Sequence, residues 1–127
     1  RLATWVARTA DLGETLAACT EPLGTIEPMS RGALDWLITI PADGSLPFGG
    51  CAPALIQWKT RPHPAARLED RGCSLLRLEL RHAQPERLSR LIASLGFAGD
   101  VLVTPTARAE QPGLTAFINT PDGLRTL

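Results

Sequence analysis

The sequence predicts an α+β domain assembled from two successive modules of the same grammar, and three observations predict it. A strand signal followed at once by a helix signal occupies residues 73–96. The same succession opens the chain. Two helix signals stand against about seven strand-like segments, the proportion of helices laid on antiparallel or mixed sheet. At 127 residues the chain is long enough to bury one core without staples.

The second half is the plainest. In Ser74-Leu75-Leu76-Arg77-Leu78-Glu79-Leu80-Arg81-His82, the leucines at 76, 78 and 80 alternate with Arg77, Glu79 and Arg81. A period of two marks a half-buried strand with one solvated face. Pro85 then suits a first helical position, with Glu86 in the first turn. Leu88, Leu91, Ile92 and Leu95 form one apolar stripe at helical spacing, and Gly96 supplies the left-handed stop. Residues 101–104 and 114–119 are strand-like, and Pro121-Asp122-Gly123 turns the chain into a last strand at 124–127.

The first half repeats this order. Residues 2–8 read as a strand with Ala3, Trp5 and Ala7 on one face, and Asp11 with Glu14 has capping-box spacing. Leu12, Leu16 and Cys19 share one side of a short helix, and Leu23-Gly24 closes the passage as Leu95-Gly96 closes its counterpart. Leu34, Trp36, Ile38 and Ile40 then alternate with Asp35, Leu37 and Thr39, and Ala54 to Lys59 reads as another strand. Between them, Pro41-Ala42-Asp43-Gly44 and Pro47-Phe48-Gly49-Gly50 punctuate a loop. Thr60 to Gly72 is a polar connector. The expected division is therefore a first module over 1–60, a connector over 61–72 and a second module over 73–127.

Composition excludes several classes of function. Thirteen basic residues balance thirteen acidic ones, and they are spread along the chain rather than clustered. A nucleic-acid surface needs a basic excess, so none is expected. No run approaches the ~20 apolar residues that cross a bilayer, so no membrane segment is expected either. Cys19, Cys51 and Cys73 lack the close pairing of a zinc site and read as reduced thiols, which points to a cytoplasmic protein. The chain begins with Arg1 rather than Met, so a processed product or part of something longer is expected. Nucleotide-binding glycine loops and the G-x-S-x-G elbow are absent.

Pro53-Ala54-Leu55-Ile56-Gln57-Trp58, then His63-Pro64-Ala65, resembles a motif of bacterial glyoxalase-like domain proteins. Arg31-Gly32 followed by Trp36, and the stretch from Cys73 to Arg90, resemble the same proteins, so the likeness runs along essentially the whole chain. They belong to the vicinal oxygen chelate superfamily. That resemblance implies two βαβββ modules curled into a cup with the helices outside, holding a small ligand. Many members bind a divalent metal, others only bind and sequester, and members of this branch usually carry a further module upstream. In metal-using members a histidine sits early in a module's first strand. The corresponding positions here are Thr4 and Arg77, neither of which can ligate as an imidazole does. No cofactor is therefore expected within this chain. A divalent metal would need ligands from an upstream segment or a second subunit, in which case a lyase, isomerase or dioxygenase activity becomes the alternative.

The candidate ligand-binding residues are Arg31, Trp36, Gln57, Trp58 and His63. Arg31 beside Gly32 can hold a carboxylate in a fork, although such an arginine is more often a solvated turn residue. The two tryptophans offer flat apolar walls, and the plainer reading makes both of them core. Gln57 is either an amide that orients a polar ligand or a residue facing solvent. His63, held between Pro62 and Pro64, suits a domain-packing contact or a pocket rim equally. His82 reads chiefly as a histidine hydrogen-bonded at a strand–helix junction, and a thiol at Cys51 activated by the Gly49-Gly50 backbone is a minor alternative. The expected function is binding of a small polar or anionic molecule. A purely structural or dimerisation domain is the rival, with a homodimer or an upstream module as the protein partner. Whether the chain is an enzyme is left open.

Overall fold

The structure, a computed structural model, describes residues 1–108 and 110–127. Its first four strands, β1 (Val6–Arg8), β2 (Thr25–Arg31), β3 (Leu34–Ile40) and β4 (Ala54–Trp58), form one sheet in the order β1-β4-β3-β2. The helix α1 (Leu12–Ala18) follows β1 and packs on β4. The second sheet contains β5 (Ser74–His82), β6 (Val101–Pro105), β7 (Gly113–Thr120) and β8 (Gly123–Thr126), in the order β6-β5-β7-β8. The helix α2 (Pro85–Ser94) links β5 to β6 and packs on both. Short 3-10 turns occupy Pro47–Gly50 and Pro64–Arg67. The fold is thus α+β with two four-stranded mixed sheets, and the two sheets do not close into a barrel.

Both halves run strand, helix, strand, strand, strand, yet their strand orders differ. In the first, β1 lies parallel to the last strand, β4, with Val6 opposite Ala54 and Arg8 opposite Ile56. In the second, β5 lies parallel to the strand that follows its helix, β6, and antiparallel to β7. The repeat is one of element order, not of sheet topology.

One apolar core serves both sheets. Ala7 and Leu55 of the first sheet, Leu12 of α1, Leu88 and Leu91 of α2, and Leu78, Leu80, Leu114 and Ala116 of the second sheet belong to a single buried cluster. The expected alternation in β5 holds at Leu78 and Leu80 but not at Leu76. A register shift between Leu75 and Arg77 turns Leu75 and Leu76 outward, 55% and 50% exposed. The free face of this strand carries Arg77, paired with Glu79 at 2.8 Å and lying over the Phe117 ring at 4.7 Å.

Two further expectations need correction. Among the described residues eight strands are present rather than about seven, because β2 gave no sequence signal. All seven of its residues are exposed, so nothing alternates, and Pro28 interrupts it. Proline is tolerated there because β2 is an edge strand, paired only with β3. The first strand is also shorter than residues 2–8. Only Val6–Arg8 pair in register, while Trp5 turns inward, its indole N–H donating to the Cys51 carbonyl at 2.9 Å and its ring meeting Phe97 edge-on at 5.2 Å. At Gly50 the chain needs glycine. Its φ is 96°, and a Cβ would lie 1.8 Å from the Ala3 carbonyl oxygen.

Across the halves, Arg87 of α2 makes a two-pronged ion pair with Glu21, and its guanidinium lies over the Phe48 ring at 5.2 Å. Hydrogen bonding to Arg87 holds the Glu21 carboxyl below its ordinary pKa. His82 sits at the β5–α2 junction with Nδ1 accepting from the Gln84 N–H at 3.0 Å, its ring 5.1 Å from Phe48. The plainer reading of that histidine is the one the geometry matches.

Candidate functional site

A cleft of 550 Å³ lies where the parallel strands β1 and β4 both end and the connector begins. Arg8 is the last residue of β1 and Trp58 the last of β4, and Thr9 continues the pairing by donating its N–H to the Ile56 carbonyl at 2.9 Å. The chain after β4 is fixed by Asp35: Lys59 N–H donates to the Asp35 carbonyl at 2.9 Å, and Asp35 N–H donates to the Thr60 hydroxyl at 2.8 Å. Those bonds hold Thr60, Arg61 and His63 along the rim of the cleft.

Of the five residues expected from sequence, Gln57, Trp58 and His63 line this cleft. Trp36 does not line it. It pairs with Trp58 across the sheet, their ring centroids 5.2 Å apart, and so backs the Trp58 indole. His63 stands edge-on to the same indole, at 5.8 Å. Arg31 ends β2 at the far edge of the sheet, paired with Leu34, exposed and outside the lining.

Gln57 has a duty that neither sequence reading named. Its Oε1 accepts the N–H of Leu12, the first residue of α1, at 2.8 Å, and so meets one of the amide groups that a helix start leaves unpaired. Asp11 Oδ1 accepts from the Glu14 N–H at 2.9 Å, as the capping spacing predicts. The Gln57 amide nitrogen keeps its donors for another partner. His63 is half engaged in the same way. Its Nδ1 accepts the Ala65 N–H at 3.1 Å and caps the turn that follows, which leaves Nε2 as its remaining polar atom.

Arg8 and Arg61 were not singled out from sequence. Three ion pairs exist among the described residues, at Arg71–Glu69, Arg77–Glu79 and Arg87–Glu21, and neither of these two arginines is in one. No carboxylate lines the cleft among the described residues. Their grouping depends on the parallel contact between β1 and β4, which leaves no local trace in the sequence.

Among the described residues, no three His, Cys, Asp or Glu side chains gather where one ion could hold them. His63 lies in the connector and His82 at the end of β5, and each spends Nδ1 on a backbone amide. Cys51 is buried, and desolvation raises its thiol pKa, the opposite of what a thiolate ligand or nucleophile needs. Among the described residues, no helix is long and apolar enough to cross a membrane.

No curated protein and no solved structure matches the chain. The family described as a glyoxalase-like domain matches residues 1–96, which takes in the first sheet, the connector, β5 and α2, and is consistent with the vicinal oxygen chelate superfamily. With three quarters of its length matched, this chain belongs to the glyoxalase-like domain family.

Proposed function

We propose that the chain binds a small anionic molecule in the cleft at the ends of β1 and β4. The observation that supports this most directly is that Arg8 and Arg61 both line the cleft, where no carboxylate lies and neither arginine is in an ion pair among the described residues. A guanidinium presents paired donors that match a carboxylate or phosphate, and each such charge-assisted contact is worth about 1.5–3 kcal/mol. Trp58, backed by Trp36, supplies a flat apolar wall for the body of the ligand. The amide nitrogen of Gln57 and His63 Nε2 then set its orientation. Arg31 has no part in this reading, and no metal ligand is taken from this chain.

Calorimetric titration with benzoate, and separately with inorganic phosphate, tests it. One-to-one binding of at least one of the two is expected, and Arg61→Gln should weaken it about tenfold or more. Binding of neither anion, or equal binding by the Arg61→Gln variant, would remove the basis of the proposal. Stoichiometric iron, manganese, nickel or zinc in the purified protein would move the reading to a metal-dependent enzyme.

A further inference from the structure

We infer that the ligand is a dicarboxylate without an ammonium group, selected by a cleft whose free side-chain groups are all hydrogen-bond donors. The inference rests on the anion reading of this cleft and deepens it to the ligand's chemical class.

Two hydrogen bonds fix what Gln57 and His63 can offer. Gln57 accepts the Leu12 N–H at 2.8 Å, and only the amide oxygen can accept, so the nitrogen with its two N–H groups is the end left over. His63 Nδ1 accepts the Ala65 N–H at 3.1 Å, so Nδ1 carries no proton and the ring's N–H stands at Nε2. Both residues line the cleft. The backbone thus uses up the acceptor of each side chain and leaves its donor.

The two hydroxyls do not reverse that balance. Thr9 pairs with the Thr15 hydroxyl at 2.6 Å and accepts the Asp11 N–H at 3.3 Å. Thr60 accepts the Asp35 N–H at 2.8 Å and lies 3.4 Å from the Ala33 and Asp35 carbonyl oxygens, either of which takes its proton. Arg8 and Arg61 add guanidinium groups, which only donate, and neither is in an ion pair among the described residues.

A monocarboxylate matches the fork of one guanidinium and leaves the second arginine unmet. A second carboxylate meets it, and the remaining lone pairs suit the Gln57 and His63 donors. An ammonium would find no carboxylate lining the cleft among the described residues, and two arginines that repel it. The donor set therefore separates a dicarboxylate both from a simple acid and from an amino acid of the same length.

The test is calorimetric titration of the intact chain, at one ionic strength, with succinate and glutarate. Butyrate and pentanoate are the same lengths with one carboxylate, and aspartate and glutamate are the same skeletons with an ammonium. At least one dicarboxylate should bind about tenfold or more tighter than both of its counterparts. Arg8→Gln and Arg61→Gln should each remove most of that advantage. Equal affinity for dicarboxylates and monocarboxylates, amino forms that bind as tightly, or an advantage that survives either variant overturns the dicarboxylate reading while leaving the anion site standing. Failure of all these carboxylates, benzoate and phosphate alike to bind overturns the anion site as well.

Discussion

The two halves of this protein speak the same linear grammar and build different sheets. Each runs strand, helix and three strands, but the first helix returns the chain to an edge hairpin, and only the last strand closes against β1. The second helix returns it directly beside β5. The consequence for function lies in what the parallel pair ends upon. β1 and β4 end on Arg8, Trp58 and a connector that brings Arg61 and His63, so two arginines line the cleft there with no carboxylate among the described residues. On the second sheet, Arg77 of β5 is paired with Glu79, whereas Arg81 lines a separate cleft together with Arg1. Order of elements sets the fold class, and order of strands decides which side chains meet.

The largest effect that probes this comparison is in the core. Leu55→Ala in the first sheet and Leu80→Ala in the second each remove a fully buried side chain and should each cost about 2–5 kcal/mol. Because both leucines lie in one cluster, each variant should still melt in a single transition at a lower Tm. Two separated transitions would mean that the halves are independent.

The two helix starts differ in a way that a smaller effect can read. α1 leans on Gln57 and Asp11 for its first amides, whereas α2 opens on Pro85 and shows no side-chain cap. Gln57→Leu should lower stability by about 1–3 kcal/mol, because the Leu12 amide loses its acceptor. Gln84→Ala should change it by less than about 0.5 kcal/mol. Chemical denaturation of the two variants checks the asymmetry, and equal losses would contradict it.

The smallest effect is pH-dependent. Burial, and after it the positive charge of Arg87, hold the His82 imidazole below its ordinary pKa of about 6.5. Between that value and the lowered one the unfolded chain binds more protons than the folded chain, so stability rises with pH there. The contribution is full above about pH 6.5 and is lost as pH falls toward the lowered pKa. His82→Asn keeps an acceptor near the Gln84 amide but does not titrate, so its Tm should fall less steeply just below pH 6.5. Identical slopes would show that His82 is not the group involved.

Much of the fold was legible because its signals are local. The leucines of β5, the stripe of α2 and the Asp11 cap each declare themselves within one turn or one strand. The edge strand β2 was not, since a strand with no buried residue has no pattern to show. Strand order was not either, since the pairing of Arg8 with Ile56 joins distant segments. The site divides the same way. Trp58 and His63 could be picked out by residue type, while Arg8 and Arg61 acquire meaning only when β1 meets β4. Gln57 was noticed as a polar residue in an apolar strand, but its bond to Leu12 depends on where the helix lands.

The central claim is that the anion seat belongs to the first half's parallel strand ends and not to exposed arginines in general. Arg81, an exposed arginine on β5 of the other sheet, is the natural counterpart to Arg61. Benzoate affinities of Arg61→Gln and Arg81→Gln, measured side by side at one ionic strength, decide it. A loss of about tenfold or more is expected for the first and none for the second. Equal losses in both, or a loss confined to Arg81→Gln, would contradict it.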